Sequence, residues 1–167
     1  MTNQDEVSSA ILNEVKVARK ELKTDHYNMR IGELINIYDD GELYLYSAYK
    51  RLSIWDNEQQ TRFIESLIIG LPIPPIYVAQ KLDGTWDVVD GSKRLSTIFE
   101  LTGRFNYNIP LVLGTCEYIP SIVDQNWDTL PAEVKRSIKR AKLTVNIILT
   151  ENIIDSQYGV FKRLNNK

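Results

Sequence analysis

The segment Asp90–Arg94, with the sequence Asp-Gly-Ser-Lys-Arg, combines the side chains and the backbone freedom that anion binding requires. It follows the apolar run 86–89, which predicts a strand, and precedes apolar residues at helical spacing over 95–101. A helix that begins here presents unpaired backbone amides and the positive end of its dipole, and both attract anions. The sequence therefore predicts a phosphate-binding site at a strand-to-helix junction.

Each residue of this junction has a role that suits a phosphate ligand. Gly91 allows the turn, and Ser92 can cap the helix or donate a hydrogen bond to a phosphate oxygen. Lys93 and Arg94 place cations in the first helical turn, where the dipole disfavours positive charge unless an anion compensates it. Asp90 can orient a magnesium-bound water or bond a ribose. Arg94 in this role is expected to be exposed, so that its removal costs little stability.

The same residues also have a purely structural interpretation. Gly91 would then be only a turn, Ser92 only a helix cap, and the two cations solvated side chains. The spacing does not match the Gly-x-x-x-x-Gly-Lys-Ser/Thr pattern of a Walker A loop. The residues alone support both interpretations about equally.

A second candidate site is a basic segment that follows Pro131. Residues 135 and 139, like residues 136 and 140, are one helical turn apart, so four cations share a broad face. Such a face can contact the DNA backbone without reading base sequence, although a solubilising surface explains it slightly better. The cations of this segment are Lys135, Arg136, Lys139, Arg140 and Lys142.

Several other chemistries are excluded or disfavoured by residue counts. A single histidine, His26, and a single cysteine, Cys116, cannot form a His–Cys zinc cluster or an HNH-type nuclease site. His26 lies in a polar stretch and is expected at the surface, and one cysteine predicts a reducing compartment. Asp87 and Asp90 are three residues apart in a strand and so face opposite sides. No metal site is predicted from protein ligands.

Aromatic residues upstream of the junction offer a further alternative. They could provide a platform on which a base stacks, but aromatic residues on strands more often pack in or beside the core. The residues concerned are Tyr44, Tyr46, Tyr49, Trp55 and Trp86.

The hydrophobic pattern predicts an α+β domain in which helices and strands are mixed. An amphipathic helix over 5–23 carries its apolar side chains at spacings of three and four, and Asp56 with Gln59 forms a capping box for a later helix that Gly70 ends. A turn at Asp83-Gly84 predicts a hairpin. The predicted helices are 5–23, 31–38, 56–69, 92–102, 131–141 and 156–164; the predicted strands are 42–46, 76–80, 86–89, 106–113 and 143–149, and 120–128 is predicted as loop.

Composition bounds the class of protein. The 167 residues, 43% hydrophobic and 25% charged, suit one domain over 1–167 with an N-terminal helix within 1–25. The net charge of −2 provides no general attraction for nucleic acid, so any such contact must be local. No apolar run approaches the ~20 residues that span a bilayer, and we expect a soluble, cytoplasmic protein without a membrane partner.

Four stretches of the sequence resemble one known family. The stretch Val88–Ile98 resembles the Asp-Gly-Gln-Gln-Arg-Leu-Thr-Thr-Ile signature of the N-terminal domain of GmrSD-type restriction proteins. Upstream, Tyr49–Arg51 with Trp55 resembles a Tyr-Gln-Arg and Trp element, and Ser66–Ile76 resembles a glycine-proline stretch. Downstream, Val160–Asn165 resembles a Phe-x-Arg-Leu-Asn element. The resemblance extends in order over about residues 31 to 167.

The resemblance implies a ParB/sulfiredoxin-like fold and a site for a nucleoside triphosphate, with or without Mg²⁺. Asp90, Gly91 and Arg94 match the family motif directly, as does Arg51, which would be a second clamp on the nucleotide. Asp90 and Arg94 are the residues to which the resemblance gives a catalytic role. At the nucleotide-binding positions 92 and 93 the family has glutamines, where this sequence has serine and lysine. Lys50 likewise replaces an upstream glutamine.

These replacements bear on activity more than on binding. Serine and lysine suit phosphate well, whereas the loss of a water-positioning glutamine leaves NTP hydrolysis in question. The resemblance therefore implies a nucleotide-binding domain, with hydrolysis left open, in a DNA-targeting restriction or anti-phage protein. Two alternatives remain: a non-catalytic DNA- or protein-binding module of the same superfamily, and a direct endonuclease. The family's nuclease lies in a separate C-terminal domain or partner, so we expect this chain to be the N-terminal part of a longer protein.

Overall fold

The computed structural model describes residues 2–45, 54–104 and 109–150, together with Gly159 and Arg163. Within these residues, helices and strands alternate without forming separate groups. None of the helices found there has the length and apolar character needed to cross a membrane. The elements are α1 (Asn3–Glu21), β1 (Leu22–Arg30), α2 (Ile31–Asp39), β2 (Leu43–Tyr44), α3 (Asn57–Ile69), β3 (Ile76–Gln80), β4 (Trp86–Asp90), α4 (Ser92–Leu101), a 3-10 turn (Pro120–Ile122), α5 (Ala132–Arg140) and β5 (Lys142–Thr150).

The strands form one mixed sheet in the order β1-β5-β3-β4-β2. Strands β1 and β5 are antiparallel, as are β3 and β4, whereas β3 runs parallel to β5 and β2 parallel to β4. The predicted α+β class is therefore confirmed, with a mixed five-stranded sheet. The predicted hairpin at Asp83-Gly84 is the β3–β4 pair.

The strand register brings distant parts of the sequence to one end of the sheet. Asp90, the last residue of β4, pairs with Tyr77 near the start of β3. Ile76, which precedes Tyr77, pairs with Val145 of β5. The start of β5 lies against the end of β1, where Arg30 pairs with Lys142. We call this edge the junction end of the sheet. Both candidate sites of the sequence analysis have residues there.

The core lies between one face of the sheet and helices α2 to α5. Apolar side chains at alternate strand positions meet the apolar stripes of the helices, which is the pattern that buries most surface in two layers. A smaller buried cluster on the other face contains Ala79, Val89 and Ile148. Fully or almost fully buried members of the main core include Leu34, Ile64, Val78, Leu95, Phe99, Ile138 and Val145.

Helix α3 follows the signals in its sequence closely. The side chain of Asp56 accepts a hydrogen bond from the Gln59 amide, and the Gln59 side chain accepts one from the Asp56 amide. Gly70 ends the helix with a φ of 86°, a left-handed conformation that glycine adopts without a steric penalty. The predicted capping box and helix end are both confirmed.

The expectation that His26 lies at the surface is confirmed, although the polar stretch around it forms β1, a strand that the sequence did not predict. Two other predictions differ from the structure. The described part of the predicted strand 106–113, residues 109–113, is not a strand. Helix α1 is present, but its apolar face is not buried by described residues, since Val7 and Ile11 are 51% and 53% exposed.

Some predictions fall on residues that the structure does not describe. Tyr46, Tyr49 and Lys50 lie there, as does the end of the strand predicted over 42–46. In the helix predicted over 156–164, only Gly159 and Arg163 are described, and both are helical.

A buried carboxylate attaches the long α4–α5 connection to α3. Glu65 is 3% exposed, and its oxygens accept hydrogen bonds from the backbone amides of Glu117, Tyr118 and Ile119. Burial by itself would raise the pKa of Glu65, but these three amides and a contact from Cys116 outweigh it and lower the pKa. Glu65 therefore stabilises the fold in its charged form.

We expect Glu65→Gln to lower the free energy of unfolding by about 1.5–3 kcal/mol, because the neutral amide cannot accept all of these hydrogen bonds. A lowered pKa stabilises the fold above the pKa of unfolded glutamate, and this stabilisation is lost as pH falls through the folded pKa. Wild type should therefore lose more stability than the variant between roughly pH 5 and pH 3. Urea melts across this range measure both effects.

The matched control is Glu58→Gln on the same helix. Glu58 is 59% exposed and pairs with Arg62 at the surface, so its loss should cost less than about 0.5 kcal/mol. Equal effects of the two substitutions would contradict the role given to Glu65.

Candidate phosphate-binding site

The turn between β4 and α4 requires glycine for two independent reasons. Gly91 has a φ of 107°, which is in the left-handed region that side chains disfavour. A β-carbon at this position would also lie 3.0 Å from Cγ1 of Ile76, at the start of the neighbouring strand. Gly91 thus lets α4 begin directly against the sheet at its junction end.

The first turn of α4 has no capping side chain among the described residues, and Lys93 is its exposed residue. The turn contains no acidic residue. The first helical hydrogen bond runs from the Leu95 amide to the Gly91 carbonyl, so the preceding amides have no acceptor within the helix. Together these amides and the Lys93 side chain provide the positive potential that a phosphate requires.

Ser92 does not act as the helix cap. Its side chain is buried, and its hydroxyl donates to the carbonyl of Leu45, with 3.4 Å between the oxygens. The hydroxyl therefore helps attach the segment after β2 to the junction. Only the backbone amide of Ser92 lies in the uncapped turn.

Arg94 is buried, and the expectation that it is exposed is wrong. Only 9% of the residue is exposed, and its guanidinium donates to the backbone carbonyl of Pro74. It also lies 3.6 Å from the carboxylate of Asp90, and burial lowers its pKa although Asp90 and Tyr77 favour the charge. Because helix geometry directs a first-turn side chain back toward the preceding strand, Arg94 joins α4, β4 and the proline-rich segment before β3.

The two aspartates of β4 have separate basic partners. Asp90 is 37% exposed and pairs with Arg94, whereas Asp87 is paired with Lys81 across the hairpin at 3.1 Å. Asp90 is thus the carboxylate at the mouth of the uncapped turn. Within the described ranges, no three side chains of histidine, cysteine, aspartate or glutamate gather into a metal site.

Of the four cations predicted on α5, Lys135 is half-buried and Lys139 is exposed, and both lie near one aromatic ring. The ammonium groups of Lys135 and Lys139 lie 5.8 and 5.7 Å from the ring centre of Trp127, within the range of cation–π attraction. Arg136 and Arg140 are exposed. Arg51, the predicted second clamp on the nucleotide, lies outside the described residues.

The sequence did not predict two cavities beside α2, because the residues that line them are far apart in the chain. One, of about 530 Å³, is mainly apolar and aromatic, and its walls include Tyr27, Met29 and Trp86. The other, of about 360 Å³, has polar walls and includes four cations. Glu33 and Asn36 of α2 border both cavities.

The fold and the junction define a class of protein: an α+β domain whose mixed sheet ends in a strand–glycine–helix turn that carries basic residues. The family model for the N-terminal domain of GmrSD restriction endonucleases matches residues 31–167. The chain therefore belongs to this family, and the resemblance found in its motifs is confirmed. No curated protein and no solved structure matches the chain.

Burial of Arg94 leads to a prediction about stability. We expect Arg94→Ala to lower the free energy of unfolding by roughly 1.5–3 kcal/mol, because a charged donor to Pro74 and the packing of its stem are both lost. Arg94→Lys should restore only part of this, since one ammonium cannot reach both partners as a guanidinium does. Chemical denaturation of the three proteins measures the difference.

Arg62→Ala is the matched control, because Arg62 also pairs with a carboxylate four residues before it but is 68% exposed. Its loss should cost less than about 0.5 kcal/mol. A melting curve of Arg94→Ala that coincides with wild type would show that the buried guanidinium does not stabilise the fold.

Proposed function

We propose that this domain binds a nucleoside triphosphate at the junction Asp90–Arg94 and thereby serves a restriction protein that acts against foreign DNA. The observation that carries the proposal is the uncapped first turn of α4, which lies behind a left-handed glycine and exposes Lys93. Membership in a restriction-endonuclease family supports the cellular role. The mixed sheet with this junction also suits a ParB/sulfiredoxin-like fold, which we include in the proposal.

In this proposal the junction residues have different roles in binding the nucleotide. The backbone amides of Ser92 and Lys93 would face the terminal phosphates, and the Lys93 ammonium would neutralise them. Arg94 would act mainly by holding the turn in place through Pro74, and its charge would add to the local potential. By family resemblance, Arg51 would approach the nucleotide from the other side.

Asp90 is the residue that suits a magnesium ion bound together with the nucleotide. Its half-buried carboxylate is a hard oxygen donor beside the phosphate turn, and Mg²⁺ is usually held by one or two carboxylates, phosphate oxygens and water. The ion would neutralise phosphate charge. Asp90 would hold it through water while remaining paired with Arg94.

Binding is better supported than hydrolysis. The family glutamines at positions 92 and 93 are replaced by a serine whose hydroxyl points to Leu45 and by an exposed lysine. Neither side chain is an acceptor placed to orient an attacking water. A nuclease domain, in the same or a partner chain, would then carry out DNA cleavage, and the bound nucleotide would regulate it.

Lys93→Ala is the sharpest test of the nucleotide site, since Lys93 is exposed and its removal should leave the melting temperature unchanged. Loss of one charge-assisted contact to phosphate should weaken affinity for ATP, GTP or CTP by about ten- to a hundredfold. Calorimetric titration with magnesium present measures the affinity. Phosphate release from the same samples shows whether the nucleotide is hydrolysed.

The control is Lys23→Ala, which removes another exposed lysine from the opposite end of the sheet, where Lys23 pairs with Leu149. It should bind nucleotide like wild type. If wild type binds none of the three nucleotides, or if both variants weaken binding equally, the junction is not a nucleotide site.

A further inference from the structure

The polar cavity between α2 and α5 concentrates positive charge in an otherwise acidic protein. Its walls include Arg30 from β1, Arg104 after α4, and Lys139 with Arg140 from the last turn of α5. The whole chain has a net charge of −2, so this accumulation is local and is not a consequence of composition. We call the cavity that these four residues line the basic cavity.

Acidic residues nearby compensate the basic cavity only in part. Asp39 pairs with Arg104 at 2.9 Å, and the Glu33 carboxylate accepts a hydrogen bond from the backbone amide of Arg30. No ion pair within the described parts of the chain involves the side chains of Arg30, Lys139 or Arg140. Three cations thus line a cavity of about 360 Å³ without an ion-pair partner among the described residues, and Glu33 is the one acidic residue of its lining.

The backbone geometry forces these charges together. The amide of Ile31 donates to the carbonyl of Ala141, which fixes the start of α2 against the end of α5. Beside the cavity, Arg30 also lies opposite Lys142 in the β1–β5 register, and like charges in such cross-strand pairs are destabilising. An anion bound beside these cations would reduce their mutual repulsion.

We infer that the basic cavity binds the backbone phosphates of a nucleic acid strand. Guanidinium groups suit phosphate oxygens because their donors are planar and paired, and contacts to the backbone need no base recognition. The site is separate from the nucleotide junction, although both lie toward the junction end of the sheet. A bound strand would release counterions from each phosphate it places against a cation.

The test compares two charge-matched variants of the whole chain. Lys139→Gln/Arg140→Gln removes two cations from the last turn of α5, and Arg19→Gln/Lys20→Gln removes two from the last turn of α1. Binding of labelled duplex and single-stranded DNA is measured over a series of salt concentrations. The α5 variant should bind about tenfold or more weakly at low salt, with a log–log salt slope shallower by about 0.9 for each lost duplex contact.

Arg30→Gln separates the basic cavity from a simple basic helix. Arg30 belongs to a different element, is exposed, and lines the cavity together with Lys139 and Arg140 of α5. It should weaken DNA binding in the same way. If Arg30→Gln binds like wild type, if the α1 variant loses as much affinity as the α5 variant, or if wild type binds no DNA at low salt, the inference is overturned.

Two further measurements show which form of DNA the cavity binds and whether it binds a free nucleotide instead. Tyr27→Ala alters the neighbouring aromatic cavity, and a selective loss of single-stranded binding with retention by Tyr27→Phe would show a strand that crosses α2. Equal binding of both DNA forms by Tyr27→Ala would show that backbone contacts suffice; either result supports the basic cavity. If the α5 variant loses ATP binding while it keeps DNA binding, the cavity is a nucleotide site and the inference fails.

Discussion

The contact between the Arg94 guanidinium and the Pro74 carbonyl is the interaction on which the junction depends. It connects the first turn of α4 to the segment that enters β3, and the ion pair with Asp90 adds the end of β4. Three elements are thus fixed to one another at the point where the chain must turn through Gly91. A buried cation is costly unless its donors are satisfied, so the turn and the proline-rich segment stabilise each other.

This constraint explains why two adjacent cations have different surroundings. In a first helical turn, successive side chains point about 100° apart, so Lys93 and Arg94 cannot both face the protein. Arg94 is directed toward the sheet, where its planar donors find fixed acceptors, and Lys93 is left in solvent beside the uncapped amides. One cation therefore supports the turn, and the other remains available to a ligand.

The strand directions of the mixed sheet also decide which residues lie near one another. Because β3 runs parallel to β5 and antiparallel to β4, the end of β4 and the start of β5 lie at the same edge. The antiparallel partner β1 then ends there as well, and Arg30 meets Lys142. Adjacent strands are about 4.8 Å apart, so β4 and β5 are separated by roughly 10 Å. The two sites proposed at this edge therefore use different side chains.

Local signals in the sequence were enough to determine the elements near the junction. The Asp56 capping box, the helix end at Gly70, the hairpin and the helix after Gly91 depend on contacts within a few residues, and each is where the sequence predicted it. Long-range pairing decided the rest. Strand β1 is mostly polar and exposed and is paired over its whole length with β5, which lies more than a hundred residues along the chain. The basic cavity also joins distant residues, from 30 to 140. Burial of Arg94 likewise followed from the position of Pro74, since twenty residues of chain separate the donor from its acceptor.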